Sequence, residues 1–212
     1  IWQHATKALH LTRKTKDRNY INYKFFDKWN EETAYIIGFI LADGHIHLGK
    51  LNYMQIEVAK YDINILQKIA KALDYRGKLY EMPNSVKLQN DNRYLIQQIA
   101  NKGVPLQDKT YVAEFPSTVP KIYFRDCIRG LIDGDGWSRI DKSGSYNLGL
   151  CGTKTLVEQV KKLLPVDCST NAVRQTGPNN WRFNLKCKKA RTVAKWLYED
   201  AHIYLDRKYN EY

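Results

Sequence analysis

The chain has 212 residues, of which 43% are apolar, with a formal charge of +12 and an isoelectric point near 9.4. That length and apolar content exclude a disordered polymer and suit one or two folded domains, and the excess of cations points to a polyanionic partner. The four cysteines (Cys127, Cys151, Cys168 and Cys187) lack C-x-x-C spacing, which argues against a zinc site; they read as reduced core residues of an intracellular protein without a signal peptide, transit peptide or membrane span.

Residues 1–30 form a basic extension, with seven Lys or Arg against two Asp. Its polar run LTRKTKDR, which holds Arg13 and Lys14, reads either as a solvated leader or as an arm on nucleic-acid phosphates. Phe25, Phe26 and Trp29 are expected to pack on the segment that follows. Residues 34–42, AYIIGFILA, predict a helix buried on most faces, ending at Asp43-Gly44. His45 and His47 then alternate onto one face of a strand.

In Tyr53–Lys60, apolar Met54, Ile56 and Val58 alternate with Tyr53, Gln55 and Glu57, the pattern of a half-buried strand. Helical spacing follows over 63–73. Residues 78–82 and 85–89 read as a hairpin around Pro83-Asn84-Ser85, with Lys87 and Gln89 outward. A helix over 93–103 ends on Gly103. Residues 105–120 hold three of the six prolines and read as a linker between a first repeat, 31–104, and a second, 121–212.

The second repeat runs in the same order. CIRGLIDGDGWSRI, Cys127 to Ile140, aligns without a gap on the first helix, ninety-two positions on: Gly38 on Gly130, Asp43 on Asp135, Gly44 on Gly136. A strand over 145–153, a helix over 155–164, a hairpin around Gly177-Pro178 and a helix over 190–201 follow. In the last hairpin strand Trp181, Phe183, Leu185 and Cys187 point inward, and Arg182, Asn184, Lys186 and Lys188 outward. YLDRKYNEY, 204–212, reads as a polar, basic tail. Each repeat is thus helix, two strands, helix, two strands, helix.

The doubled helix carries the chemistry. Gly38 and Ala42, like Gly130 and Gly134, sit four apart on one face, a spacing that lets two helix backbones approach closely. Gly44 and Gly136 suit the left-handed position that ends a helix. Asp43 and Asp135 occupy the last turn, where the helix end already carries partial negative charge and an anion loses about 0.3–1 kcal/mol. A hard divalent cation between them would reverse that field.

The two stretches, IIGFILADG (36–44) and IRGLIDGDG (128–136), resemble the LAGLIDADG motifs of homing endonucleases in the single-chain form with two motifs. The resemblance covers about residues 30–212. Leu41 departs from the motif's first acidic residue, which the second copy keeps as Asp133. It implies an α+β fold of two pseudo-symmetric αββαββα repeats, with motif helices paired at the centre and two antiparallel saddle-shaped sheets over DNA. It also implies a site-specific endonuclease that breaks both strands of a long asymmetric duplex. The metal would be Mg²⁺, with Mn²⁺ or Ca²⁺ able to replace it for binding, held by Asp43 and Asp135 with the neighbouring Ala42 and Gly134.

Family sites also hold a basic residue beside each scissile phosphate, and Lys60 and Lys154, at corresponding strand ends, are the candidates. Base readers are sought among the outward strand residues: Tyr53, Gln55, Lys87 and Gln89 in the first repeat, and Arg139, Asn147, Arg174, Arg182, Asn184 and Lys186 in the second. The chain is expected to act as a monomer. An RNA maturase acting on host intron RNA, or a DNA-binding protein of the same fold without cleavage, remain alternatives on these residues.

Overall fold

A computed structural model describes residues 20–212. Arg13 and Lys14 lie outside the described residues. The first half consists of α1 (Glu31–Asp43), β1 (Gly44–His47), β2 (Tyr53–Ala59), α2 (Ile63–Ala72), β3 (Tyr80–Glu81), β4 (Ser85–Asn90) and α3 (Arg93–Asn101). A short helix, α4 (Lys109–Val112), lies between the halves. The second half repeats the order with α5 (Phe124–Asp135), β5 (Gly136–Ile140), β6 (Tyr146–Gly152), α6 (Lys154–Leu163), β7 (Arg174–Gly177), β8 (Asn180–Lys186) and α7 (Cys187–Tyr198), and closes on α8 (Asp206–Tyr209). The two four-stranded antiparallel sheets share one topology, β1-β2-β4-β3 and β5-β6-β8-β7.

Helix α1 starts where Asn30 accepts a hydrogen bond from the Thr33 amide at 2.7 Å, and every residue from Thr33 to Ala42 is buried. It is buried because it packs along α5, and the small residues set how closely. A methyl group at Gly38 would sit 2.1 Å from the Cys127 carbonyl oxygen, and one at Gly130 would sit 2.1 Å from that of Tyr35. Cys127 and Tyr35 are themselves equivalent positions of the repeat, so the two contacts form a pseudo-twofold pair. No side chain larger than hydrogen fits either place.

Gly44 and Gly136 do not adopt the left-handed conformation expected of them. Their backbones are extended, with φ −90° and −101°, and each helix runs directly into a strand. Glycine is required there by closeness instead: a Cβ on Gly44 would lie 2.6 Å from Ile40, and one on Gly136 would lie 2.5 Å from the Gly149 carbonyl oxygen.

Each half has its own apolar core, and each core takes residues from the segment that closes the other half. Ala113, Phe115 and Val119, after α4, are buried with the core of the second half. Ile203 and Leu205, after α7, are buried with the core of the first. Phe26 joins the first core, Phe25 packs against it, and Trp29 packs between both. The stretch 204–212 is therefore not a solvated tail. Cys187 also differs from expectation: β8 stops at Lys186, and Cys187 opens α7 with an exposed side chain and φ +50°.

Candidate active site

Asp43 and Asp135 end the two paired helices side by side. The Asp43 carboxylate lies over the partner helix, with its Oδ2 3.4 Å from where a Cβ on Gly134 would stand. Burial raises the Asp43 pKa to about 6, helped by repulsion from Asp135. Burial also raises the pKa of Asp135, against the pull of Lys109 and Lys208. Among the described residues neither carboxylate accepts a hydrogen bond or joins an ion pair. Two half-enclosed carboxylates without partners form an all-oxygen donor set, and that set fits a hard divalent cation. No group of three or more His, Cys, Asp or Glu side chains gathers among the described residues. The carbonyl oxygens of Ala42 and Gly134, the residues before the two aspartates, are already approached by lysine ammonium groups, at 2.5 and 3.5 Å.

Two further lysines, Lys109 and Lys208, stand at the helix ends beside the aspartates. The Lys109 Nζ donates to the carbonyl oxygens of Ala42 at 2.5 Å, Gly44 at 2.6 Å and Ile40 at 3.4 Å. The Lys208 Nζ donates to those of Ile132 at 2.6 Å, Asp133 at 2.7 Å and Gly136 at 2.6 Å, and approaches Gly134 at 3.5 Å. Lys109 thus caps the carboxyl end of α1, and Lys208 caps that of α5. Each satisfies carbonyls that the helix leaves open and offsets its partial negative charge. Both amines are pulled below the ordinary lysine pKa by burial, Lys208 to about 8. The attraction is crossed: Lys208 is the stronger pull on Asp43, and Lys109 on Asp135.

Lys60 and Lys154 sit at equivalent places, just past β2 and β6, and each pairs with a glutamate of its own half. Lys60 pairs with Glu81 at 3.5 Å with both side chains exposed. Lys154 pairs with Glu158 at 3.9 Å, lies 5.1 Å over the Trp181 ring and lines a separate hollow with Lys161 and Asp167. A sequence signal for the capping pair exists: Leu-x-x-Lys recurs as Leu106–Lys109 and Leu205–Lys208. It is weak, because a lysine in a polar run more often points to water.

The two aspartates open onto separate hollows. Beside Asp43 one of about 340 Å³ is lined by Glu57, Tyr61, Asp62 and Arg207, with the Arg207 Nε bridging both Asp62 carboxylate oxygens at 3.0 Å. Beside Asp135 one of about 630 Å³ is lined by Lys109, Tyr111, Cys151 and Thr153, and the Cys151 thiol donates to the Asp135 carbonyl oxygen at 2.9 Å.

The outer face of the second sheet bounds a groove of about 930 Å³, which brings together Arg139, Asn147, Arg174, Arg182, Asn184 and Lys186. Asn147 is only 6% exposed there, its amide already engaged. On the first sheet, Gln55 pairs across to Gln89 and Glu57 to Lys87. The Tyr53 ring is stacked between the imidazoles of His45 and His47, at 5.3 and 5.5 Å. This face carries the amides of Gln55 and Gln89, the Tyr53 ring and the Lys87 ammonium, whereas the second groups four cations, Arg139, Arg174, Arg182 and Lys186, around its asparagines. No described helix is long and apolar enough to cross a membrane.

No family model matches the sequence, and no curated protein does. Solved structures do match. The I-LtrWI LAGLIDADG homing endonuclease bound to target DNA is 14% identical, over 89% of this chain and 88% of that one, with a TM-score of 0.57. The LAGLIDADG meganuclease I-CpaMI bound to uncleaved DNA is 12% identical, over 86% and 88%, with a TM-score of 0.60. I-SmaMI bound to an uncleaved DNA target in the presence of calcium ions is 11% identical, over 81% and 85%, with a TM-score of 0.56. At these low identities the likeness is one of fold, spread over most of both chains: the chain has the fold of the LAGLIDADG homing endonucleases.

Proposed function

We propose that the chain is a divalent-metal-dependent DNA endonuclease that cuts both strands of a long, asymmetric duplex. The observation that carries this reading is the carboxylate pair, Asp43 and Asp135, at the ends of two paired helices whose last carbonyls are capped by half-buried Lys109 and buried Lys208. Asp43 and Asp135, with the Ala42 and Gly134 carbonyls, would hold the metal. When bound, a divalent cation supplies charge stabilisation at the phosphoryl oxygens and a water of lowered pKa. The chain's own residues set the conditions. Lys109 and Lys208 favour the ionised aspartates and keep both helix ends rigid. The cationic face of the second sheet (Arg139, Arg174, Arg182, Lys186) and the amide-rich face of the first (Tyr53, Gln55, Lys87, Gln89) would lie along the major groove. Arg13 and Lys14 would contribute phosphate contacts without sequence preference.

The test is recovery of cut ends from a random duplex library incubated with the chain and Mg²⁺. The expected product is one long target cut on both strands. Asp43→Asn and Asp135→Asn should retain that target and fail to make the double-strand break, by on the order of 10²-fold or more. Equal cutting by either variant, or no cutting by the unsubstituted chain with Mg²⁺ or Mn²⁺, would overturn the reading.

A further inference from the structure

Four side chains on the outer face of the second sheet form one directed chain of hydrogen bonds. The Trp137 Nε1–H donates to the Asn184 Oδ1 at 2.9 Å. The Asn184 Nδ2 donates to the Asn147 Oδ1 at 3.3 Å. The Asn147 Nδ2 donates to the Asp141 Oδ2 at 2.9 Å and to the Ser145 carbonyl oxygen at 2.8 Å. Strand register puts Trp137 opposite Gly149 and Gly149 opposite Asn184. A Cβ on Gly149 would lie 2.3 Å from the indole, so only glycine lets the ring cross the sheet to reach Asn184.

Both ends of this chain have a fixed sense. Indole is a donor only, and an ionised carboxylate is an acceptor only. Asp141 is held ionised by the Ser143 hydroxyl, the Asn147 amide and the Ser143 and Ser145 backbone amides, which keep its carboxyl far below the usual range. Neither asparagine can turn its amide over without setting donor against donor or acceptor against acceptor. Asn147 is then fully engaged through its two N–H groups. Asn184 retains one N–H and one lone pair on its amide, and its side chain lines the groove.

We propose that Asn184 reads an adenine in the half-site lying on the second sheet, with Asn147, Trp137 and Asp141 as positioning residues that set its amide. Adenine alone offers an acceptor, N7, beside a donor, N6–H₂, on its major-groove edge. Guanine presents two acceptors there, and Asn184 in this orientation has a single donor left for them. The assignment rests on the duplex-binding reading above and gives one of its base contacts.

The experiment is selection of bound duplexes from a random library in EDTA, so that nothing is cut, with the full chain and with Asn184→Ala, Asn147→Ala and Trp137→Phe. The unsubstituted chain should prefer adenine at one base pair of the second half-site. Asn184→Ala should reduce that preference about tenfold or more. Asn147→Ala and Trp137→Phe should reduce it less, at the same base pair and at no other, with thermal midpoints showing that each variant is folded. Enrichment of a target whose composition Asn184→Ala leaves unchanged would overturn this assignment alone. So would a change made by Asn147→Ala at a base pair that Asn184→Ala does not alter. Failure of the unsubstituted chain to enrich any duplex would overturn the duplex-binding reading, and this assignment with it.

Discussion

Residues 105–120 and 199–212 do the same job in different chemical terms. Each closes one half, sends apolar side chains into the core of the other, and carries the lysine that caps a central helix. The first segment is held mainly by Ala113, Phe115 and Val119 in the opposite core, with the Phe115 amide donating to the Gln159 Oε1 at 2.7 Å. The second is held by buried charge. The Arg129 Nε donates to the Ile203 carbonyl oxygen and its Nη1 to that of Leu197, both at 3.0 Å. Asp133 accepts from the Tyr35 hydroxyl at 2.8 Å, the Tyr198 hydroxyl at 2.7 Å and the Leu205 amide at 2.8 Å.

At the equivalent places on α1 stand Ile37 and Leu41, both buried and apolar. The departure from the acidic motif at Leu41 thus changes how a closing segment is anchored, and leaves the aspartate-lysine centre alike in both halves. The site's symmetry is kept where charge meets charge, and is released where only packing is asked for.

That contrast can be broken deliberately. The largest effect on stability is expected from Asp133→Leu, which makes the second helix imitate the first. It strands two buried hydroxyls and one amide, each worth roughly 1–3 kcal/mol, so the urea midpoint should report a loss of about 3 kcal/mol or more. A loss below about 1 kcal/mol would mean that burying the charge costs nearly as much as its hydrogen bonds return.

Lys208→Met and Lys109→Met sharpen the comparison. Each uncaps a helix end, at a cost of about 2 kcal/mol. Lys208→Met should cost more, because Lys208 also offsets the fully buried Asp133. Equal losses in urea unfolding would show that Asp133 draws its support from the two tyrosines and the Leu205 amide, without Lys208.

The smallest effect concerns pH. Because the folded-state pKa of Asp43 is raised to about 6, its ionisation opposes folding. That penalty is absent below the unfolded value near 4, grows between about 4 and 6, and is complete above 6. In EDTA, Asp43→Asn should therefore raise the thermal midpoint at pH 8 and leave it unchanged at pH 4. Part of the Asp43 side chain still meets solvent although its carboxylate lies among protein atoms, so the gain is discounted to about 1 kcal/mol, or roughly 2–4 °C. A gain at pH 4 equal to that at pH 8 would place its origin elsewhere than in the titration of Asp43.

Much of the architecture is legible in the order of residues. The apolar run before Asp43 had to be a buried helix, and its return before Asp135 gave the twofold relation. Alternation in Met54–Val58 and Phe183–Leu185 marked the sheets because a period of two has no other use. Patterning failed where elements are too short to show a period. The four-residue helices Lys109–Val112 and Asp206–Tyr209 look like linker and tail in the sequence. It failed too at Gly44 and Gly136, where a neighbouring backbone and not a left-handed turn excludes a side chain.

The chain's order of residue types was enough to determine that two aspartates would end two close-packed helices. It could not determine which cations answer them. A lysine's burial is decided by what folds over it, and Lys109 and Lys208 are drawn in by unsatisfied carbonyls that exist only once α1 and α5 have formed and paired. The polar floor of the second sheet is of the same kind: Trp137, Asn184, Asn147 and Asp141 span 48 positions of chain, and only strand register makes them one hydrogen-bonded line.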